Sequence, residues 1–318
     1  MKNIQRVPIS EMPHDEWLAR RRKTIGGSDA SAIVHLNQWC SPYKAWAQKT
    51  GRLPEIRDTE NMRQGRDLES YVAWRWQDET GKRVRRENAL LYNPRYPFAH
   101  ASIDRWVVGE NAGLECKTTS VLNLKKFKAG EFPVQYWAQC LHYMAVTGAD
   151  KWYLAVLVMN QDFYTYEIER SETVEGEIDA LMAKEEEFFG YVATDMPPPV
   201  DGMPSTADTL QAIYADSNDG SVDLVGCDGL LDEYMELKAE AGSISQKMER
   251  IKQKLMEDLG NSECGICGGY LVSWKGQSRS SFDSKRYVTD NPGLDLSGYW
   301  RVSHFRKFEI KRRGSDVS

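Results

Sequence analysis

Residues 102–118 read SIDRWVVGENAGLECKT, and this stretch decides the fold of the first part of the chain. Residues 103–108 are rich in β-branched and aromatic side chains, and residues 109–113 have the composition of a turn. Residues 114–118 then return to a short strand-like run. Two such runs on either side of a short turn predict a β-hairpin.

The register of this hairpin decides which side chains share a face. With a four-residue loop over residues 109–112, Val108 pairs with Gly113, and Asp104 lies opposite Lys117. Glu115 lies on the same face as Lys117 because side chains alternate along a strand. The hairpin therefore predicts two carboxylates and one ammonium group on one face of a sheet.

Two helices are predicted beside the hairpin. Residues 66–80 repeat apolar side chains at helical spacing, which places Glu69 near the start of a helix. Residues 134–147 show the same pattern, and Gln139 and Tyr143 lie one turn apart on that helix. Glu69, Gln139 and Tyr143 are thus candidates to join the hairpin residues.

These residue types suit the hydrolysis of a phosphodiester by a metal ion. Mg²⁺ takes hard oxygen ligands and keeps several waters, so two or three carboxylates suffice. We expect Asp104, Glu115 and Glu69 to be ligands, with the main-chain carbonyl of Cys116 as a further oxygen. Lys117 would orient the attacking water or help to deprotonate it. The prediction is a metal-dependent nuclease.

An acid-x-Lys tripeptide is a weak signal by itself, because the chain has three others, beginning at Glu236, Asp283 and Glu309. Glu115 alone follows an aspartate at the head of a hairpin strand and an upstream helical glutamate. The alternative is a surface hairpin with a solvated ion pair, in a protein that binds DNA or serves as a scaffold without catalysis.

Several further blocks occur in a fixed order with these residues. They begin with Trp17 and Arg21 and end with Ala138 and Gln139. Between them lie residues 25–30 (IGGSDA), 41–43 (SPY), 49–51 (KTG), 65–69 (GRDLE), 102–104 (SID) and 115–117 (ECK). Over residues 14–195 the chain resembles the YqaJ-type viral recombinases, the phage lambda-type alkaline exonuclease group of the PD-(D/E)xK nuclease superfamily. One departure is Ile103, where the family often has proline.

The resemblance implies a fold and a set of site residues. The fold is α/β, a restriction-endonuclease-like core with a central mixed sheet flanked by helices. The cofactor is Mg²⁺, with Mn²⁺ as a substitute and two ions in each active site. The implied metal ligands are Asp104, Glu115 and Glu69, with Lys117 serving the nucleophile, and the implied pocket for a terminal 5′-phosphate is formed by Arg21, Ser28, Ser102 and Gln139.

The resemblance also implies an activity and partners. The activity is 5′-to-3′ exonuclease action at the ends of linear double-stranded DNA, which leaves 3′ overhangs for a single-strand annealing protein in phage-type recombination. A ring-shaped homo-oligomer is expected. The alternative is an endonuclease or nickase on the same core, in which Arg21 and Ser28 are structural.

Each residue of the phosphate pocket has a second interpretation. A guanidinium with hydroxyl and amide donors suits phosphate oxygens, and Gly27 would let the backbone approach the anion. Arg21, however, lies in a basic run that fits a solvated helix face, and Ser28 fits a helix cap. Gln139 fits a partner of buried backbone, and for Tyr143 we expect ordinary packing.

Composition and charge bear on the cellular compartment of the protein and on how it could bind DNA. No apolar run is long enough for a transmembrane helix and the start of the chain lacks a signal peptide pattern, which predicts a cytoplasmic protein. The resemblance implies a bacterial host and a phage or prophage origin. Six scattered cysteines fit a reducing compartment. The net charge is -6, so DNA binding depends on the basic clusters at residues 20–23, 82–86, 125–128 and 301–313.

The sequence changes character after the nuclease-like part. We expect a nuclease domain over residues 1–200, a linker over 201–228 rich in Asp, Ser and Gly, and an accessory domain over 229–318. Apolar residues from Leu230 to Leu255 recur at alternating intervals of four and three, a heptad seam. Residues 269–275, 280–285 and 299–310 alternate like strands.

The accessory domain also holds the spacing Cys264-x-x-Cys267. A zinc site needs four ligands, and no second pair of cysteines or histidines lies nearby to complete it. We therefore expect a tight turn with two free thiols.

Overall fold

The computed structural model describes residues 3–55, 58–123, 127, 132–218, 220–295, 297–301 and 306–310. The chain divides into two compact units, Met1–Ala215 and Asp216–Ser318. Within the described ranges, no helix is long and apolar enough to cross a membrane. The helices of the first unit are α1 (His14–Arg22), α2 (Gly27–Ile33), α3 (Pro42–Lys49), α4 (Glu60–Thr80), α5 (Val134–Thr147), α6 (Glu172–Ala193) and α7 (Pro204–Ile213).

A five-stranded mixed sheet forms the centre of the first unit. Its order is β3-β6-β7-β8-β9; β7 and β8 run parallel and the other neighbouring pairs are antiparallel. Two short ribbons lie beside it, β1 with β4 antiparallel and β2 with β5 parallel. The strands are β1 (Gln5–Pro8), β2 (Ile25–Gly26), β3 (Val84–Arg86), β4 (Ala89–Tyr92), β5 (Ala99–His100), β6 (Arg105–Val107), β7 (Ala112–Thr119), β8 (Lys151–Val158) and β9 (Asp162–Glu169). The predicted α/β fold with a central mixed sheet flanked by helices is confirmed.

The two faces of this sheet pack against different helices. Leu114 and Cys116 of β7 join the apolar cluster that contains Val72 and Trp76 of α4. Side chains alternate along a strand, so Glu115 and Lys117 point to the opposite face. That face is covered by α5, whose Gln139 contacts Glu115. The position of β7 between two helical layers thus separates its polar residues from its apolar ones.

The predicted hairpin exists, but its predicted register is wrong. Arg105 pairs with Leu114 and Trp106 with Gly113, so the loop begins one residue earlier than expected and Val108 lies outside the strand pair. The loop contains Gly109 at φ +89°, in the left-handed region that favours glycine. Extended by one residue, this register brings Asp104 opposite Glu115 rather than Lys117. A shift of two residues leaves every side chain on its expected face.

The segment predicted as a linker, residues 201–228, begins with a packed helix. Helix α7 lies within it, and Ser205 and Thr206 of that helix are buried. The Ser41 main-chain N–H donates to the Ser205 hydroxyl at 3.0 Å, and the Thr206 hydroxyl donates to the Ser41 hydroxyl at 2.7 Å. Leu210 and Ile213 of the same helix pack against the apolar core, so this part of the predicted linker is a packed helix.

Among the described residues of the second unit are the predicted long helix, α8 (Asp228–Leu259), and a hairpin. The hairpin pairs β10 (Cys264–Cys267) with β11 (Tyr270–Ser273), so Cys264 and Cys267 lie in a strand and not in a tight turn. Both thiols are free and exposed. Residues three apart in a strand point to opposite faces, which argues against one metal ion held by both.

Two further predictions for this unit are wrong. Residues 280–285 do not form a strand, because α9 (Ser284–Asp290) begins there and the Asp283 carboxylate accepts from the Arg286 main-chain N–H at 3.0 Å. Of residues 299–310, those the structure describes form no strand. Most of the basic cluster at 125–128 lies outside the described residues, as do residues 302–305 and 311–313 of the cluster at 301–313.

Candidate active site

Glu115 is the centre of the polar group on the α5 face of the sheet. Its side chain is 4% exposed, and its Oε1 accepts from the Gln139 amide at 2.8 Å and lies 2.6 Å from the Lys117 ammonium nitrogen. Its Oε2 is buried and has no hydrogen-bond partner. A buried carboxylate oxygen without a partner is costly, so this oxygen is the best-placed ligand for a cation among the polar atoms of this face.

Asp104 lies beside Glu115 at the start of the hairpin. Its Oδ2 accepts from the main-chain N–H of Cys116 at 2.8 Å. Burial raises the pKa of Asp104 well above its usual range, and the nearby charges of Glu115 and Glu69 raise it further. Two carboxyl groups that repel each other in a buried place favour a bound positive charge, which would oppose this rise.

Lys117 carries the ammonium of the site. Burial lowers the pKa of Lys117, but the charges of Glu115 and Asp104 and the hydrogen bond to Glu115 outweigh burial, and the net shift is upward. Its ammonium also lies 5.4 Å from the centre of the Tyr136 ring. Lys117 is therefore a cation at neutral pH, which suits orienting a water or stabilising negative charge and does not suit a proton acceptor.

Glu69 lies on α4, close enough to Asp104 for its charge to raise the pKa of that carboxyl group. Its Oε1 is ion-paired with Arg105 and lies 3.7 Å from the Arg86 guanidinium. Arg105 faces α4 because it follows Asp104 on an alternating strand. Among the described residues, no three His, Cys, Asp or Glu side chains come together as a metal site. The predicted set of three carboxylates is therefore not assembled, and Asp104 and Glu115 form a pair.

Arg105 is a site residue that sequence reasoning missed. It is 5% exposed, and it donates to the Asp104 main-chain carbonyl at 2.8 Å while it holds Glu69. The alternation of side chains along a strand could have identified Arg105. The residue after Asp104 points to the opposite face of the sheet, and the helix that carries Glu69 covers that face. Arg105 thus links the α4 layer to the start of the hairpin.

The predicted phosphate residues Arg21 and Ser28 are brought together. The Arg21 guanidinium donates to the Ser28 hydroxyl at 3.2 Å and stacks on Trp17, with 4.5 Å to the ring centre. Ser28 is exposed in the first turn of α2, and the N-cap of that helix is Gly26. The alternative interpretation of Ser28 as the cap is therefore wrong. Gly26 pairs with His100 in the parallel ribbon of β2 and β5. Ser28 follows Gly26 by two residues and Ser102 follows His100 by two residues, so both serines come after the same end of this ribbon.

Gln139 lies on the carboxylate side of the site. Its amide donates to Glu115 and also to the Tyr143 hydroxyl, at 2.9 Å. The Tyr143 ring packs against Gly27, where an added Cβ would lie only 2.5 Å from a ring carbon. The absence of a side chain at Gly27 therefore makes room for the Tyr143 ring, and not for an anion as predicted. Gln139 and Tyr143 connect the carboxylate pair to the segment that carries Ser28.

A second ion pair fixes the backbone beside Arg21. The Lys49 ammonium lies 2.7 Å from the Asp29 carboxylate and donates to the main-chain carbonyls of Arg21 and Thr24. The Asp29 carboxylate also accepts from the Gly26 main-chain N–H at 2.8 Å. Asp29 and Lys49 thus hold α1, α2 and α3 in fixed positions around Arg21.

The first unit thus combines a central mixed sheet with an Asp–Glu pair, an adjacent lysine ammonium and an arginine–serine group at its surface. A family model described as the YqaJ-like viral recombinase domain matches residues 16–150. The chain is 36% identical over 308 residues to the uncharacterized protein YqaJ of Bacillus subtilis (strain 168), covering 95% of each protein. This chain belongs to the YqaJ-like viral recombinase family.

Solved structures also resemble the chain. The alkaline exonuclease LHK-Exo of Laribacter hongkongensis is 22% identical, with a TM-score of 0.44 and coverage of 57% of this chain and 97% of that chain. The same enzyme in complex with dAMP is 23% identical, with a TM-score of 0.45 and the same coverages. With identities and TM-scores this low, these likenesses do not decide the function of this chain.

Proposed function

We propose that this chain is a metal-dependent deoxyribonuclease that degrades the 5′-ended strand of linear double-stranded DNA and leaves a 3′ overhang. The observation that carries the proposal is the buried, unpartnered Oε2 of Glu115 beside Asp104 and the Lys117 ammonium. Membership of a viral recombinase family supports it, because recombination requires DNA with processed ends. LHK-Exo, which resembles the chain, is described as an alkaline exonuclease.

The donor set fits Mg²⁺ or Mn²⁺. Asp104, Glu115 and the main-chain carbonyl of Cys116 would supply hard oxygens, which these ions prefer. When bound, the metal supplies charge neutralisation at the phosphodiester and makes a water more acidic. Glu69 would assist a second ion only after leaving Arg105, so we propose that DNA or the metal breaks the Glu69–Arg105 pair.

Three other residues then have separate roles. The Lys117 cation lies beside Glu115, where it would orient the attacking water and stabilise charge on the phosphate. Gln139 holds Glu115 through its amide, and Tyr143 holds Gln139. Gln139 is thus a positioning residue rather than a part of the phosphate pocket.

We assign the recognition of a DNA end to the group formed by Arg21, Ser28 and Ser102. Arg21 presents a planar fork of N–H donors, and the Ser28 and Ser102 hydroxyls add neutral donors, which together suit a terminal 5′-phosphate. The Gln139–Tyr143 connection joins this group to the carboxylate pair. A strand anchored by its 5′-phosphate would therefore reach Asp104 and Glu115. The 3′ overhang left behind is the substrate that a single-strand annealing protein requires, and we propose such a protein as the partner.

The test is digestion of end-labelled DNA by the full chain. We expect linear duplexes with a 5′-phosphate to lose label from the 5′ end in Mg²⁺, duplexes with a 5′-hydroxyl to react more slowly, and EDTA to abolish the reaction. Arg21→Gln should remove the preference for the 5′-phosphate, whereas Arg22→Gln is the matched control on the same helix.

Other outcomes have clear meanings. Comparable cutting of closed circles would assign an endonuclease or nickase. An absence of degradation by the wild type in both Mg²⁺ and Mn²⁺ would assign a non-catalytic DNA-binding protein. Full activity of Glu115→Gln would show that the catalytic site lies elsewhere.

A further inference from the structure

Helix α8 carries an apolar seam that is exposed along its whole length. No residue of this helix is buried, and Leu230, Met248 and Ile251 keep 67%, 66% and 64% of their surface exposed. The seam residues recur at alternating intervals of four and three, the spacing at which two helices pack side by side. They are Leu230, Tyr234, Leu237, Ala241, Ile244, Met248, Ile251 and Leu255.

We propose that α8 pairs in an antiparallel coiled coil with α8 of a second copy of this chain. The proposal goes beyond the nuclease activity, because it rests on the second unit alone. Such an interface is two-fold symmetric, so each helix must be complementary to itself in the reversed direction. Both the sizes of the seam residues and the charges beside them meet this requirement.

The sizes of the seam residues favour the antiparallel direction. With a two-fold axis between Gly242 and Ser243, Ala241 lies opposite Ile244 of the second copy, and Tyr234 lies opposite Ile251. A parallel pair would instead place Ala241 on Ala241 and Tyr234 on Tyr234. The first of those layers leaves a void and the second is overfilled, and both cost stability. Large residues opposite small ones fill the seam more evenly.

The charges that flank the seam point in the same direction. On one side of it the chain has Glu233 and Glu240 in the first half of the helix, and Lys247 and Lys254 in the second half. The antiparallel arrangement places Glu233 beside Lys254 and Glu240 beside Lys247, and symmetry doubles both attractive pairs. A parallel arrangement would place Lys247 beside Lys252 of the second copy, and this repulsive pair would offset its one attractive pair, Glu233 with Lys238.

The centre of the seam holds a small residue. Ala241 is the seam residue next to the two-fold axis, and it lies opposite Ile244 of the second copy. The distance between two packed helices depends on the side chains at the contact, so Ala241 allows close approach near the axis. Gly242 and Ser243 lie on the outer side of the helix and take no part in this contact.

The first test is the mass of the full chain by analytical ultracentrifugation. Ile244→Asp places a charge in the seam, whereas Gln246→Asp places the same charge on the opposite side of the helix. We expect Ile244→Asp to halve the number of chains in each particle and Gln246→Asp to leave it unchanged, with the same circular dichroism for all three proteins. Equal masses for Ile244→Asp and the wild type would overturn the proposal, because the seam would then be covered by the chain itself or by another protein.

The second test is the direction of the pair. Lys247→Glu would face Glu240 of the second copy in the antiparallel arrangement and Lys252 in the parallel one. We expect a several-fold rise in the dissociation constant for Lys247→Glu, recovery in Glu240→Lys/Lys247→Glu, and no change in the matched control Arg250→Glu. Tighter association of Lys247→Glu would exclude the antiparallel pair.

Discussion

At the scale of the residue, the surroundings of Glu115 distinguish between the two interpretations of the acid-x-Lys pattern. Its two carboxylate oxygens have different surroundings, since Oε1 is shared by Gln139 and Lys117 and Oε2 has no partner. A solvated surface ion pair, the alternative considered for the sequence, would leave both oxygens in water. The buried location therefore favours a site with a function over that alternative.

The support of Glu115 by Gln139 can be tested by substitution. Gln139→Leu removes the amide that donates to Glu115 and leaves the carboxylate free to turn. We expect a loss of about 10- to 100-fold in DNA degradation or metal affinity, the usual effect of losing a group that orients a ligand. Gln135→Leu, one turn earlier on α5, is the control. Equal losses in both variants would mean that the effect comes from the packing of α5.

A buried ion pair stabilises the same unit away from the site. Both ring nitrogens of His142 are engaged: Nδ1 contacts the Glu185 carboxylate at 2.8 Å, and Nε2 lies 2.9 Å from the His100 carbonyl. Both partners are acceptors, so His142 donates from both nitrogens as a cation. Burial lowers the pKa of His142, but Glu185 outweighs it and the net shift is upward.

Removal of one partner leaves an uncompensated buried charge. For Glu185→Leu we expect the free energy of unfolding to fall by about 3–5 kcal/mol, measured by urea denaturation. The neighbouring Glu186 is exposed, so Glu186→Leu should have little effect. A loss of similar size in both variants would contradict the importance of this pair.

Protonation of His100 makes the stability of the first unit dependent on pH. Burial lowers the pKa of His100 from 6.5 to about 3, and the charge of His142 adds to the effect. Between these pH values the unfolded chain binds a proton that the folded chain does not, so stability falls as the pH falls from 6.5 towards 3. The slope of unfolding free energy against pH should be smaller in His100→Gln, by up to about 1.4 kcal/mol per pH unit. Identical slopes in urea titrations at several pH values would contradict this assignment.

At the scale of the element, the sequence correctly predicted those features of helices and strands that local patterns determine. Residues 134–147 form a helix with the predicted bounds, because its apolar spacing and the glycine that follows it act locally. Alternation in β7 correctly placed Glu115 and Lys117 on one face. The register of the hairpin was missed by two residues because it depends on the turn geometry at Gly109 and not on the apolar pattern.

Other elements depend on contacts that no local pattern reveals. Helix α7 is held by hydroxyl contacts with Ser41, more than 160 positions earlier in the chain, and by the packing of Leu210 and Ile213 against the core. The pairing of Glu69 with Arg105 also depends on how α4 lies across the sheet. The sequence therefore predicted local features better than it predicted the long-range partners of these residues.

The contact between α2 and α5 allows a further test. Gly27→Ala would bring a Cβ to 2.5 Å from the Tyr143 ring, so we expect a loss of about 1–3 kcal/mol in the free energy of unfolding. A Cβ at Gly176 meets nothing within 4 Å, and Gly176→Ala should be neutral or stabilising because alanine favours helix. Tyr143→Leu combined with Gly27→Ala should recover part of the loss, and an absence of any recovery would place the strain elsewhere.

At the scale of the whole molecule, the first unit contains the candidate site and the second unit contains the proposed surface for a second copy. The net charge is -6, so the proposed affinity for DNA would come from local basic clusters such as that of Arg21 rather than from the overall charge. We expect the degradation of DNA to weaken as salt increases, because contacts with phosphates release counterions.

The central claim is that Asp104 and Glu115 together bind a divalent cation. Mn²⁺ binding to the full chain, followed by electron paramagnetic resonance in the absence of DNA, tests it directly and independently of activity. Glu167 lies on β9 with its side chain 58% exposed, so Glu167→Gln is the control. We expect the wild type and Glu167→Gln to bind Mn²⁺ and Asp104→Asn and Glu115→Gln to lose that binding; undiminished binding by Glu115→Gln would show that the cation is not held there.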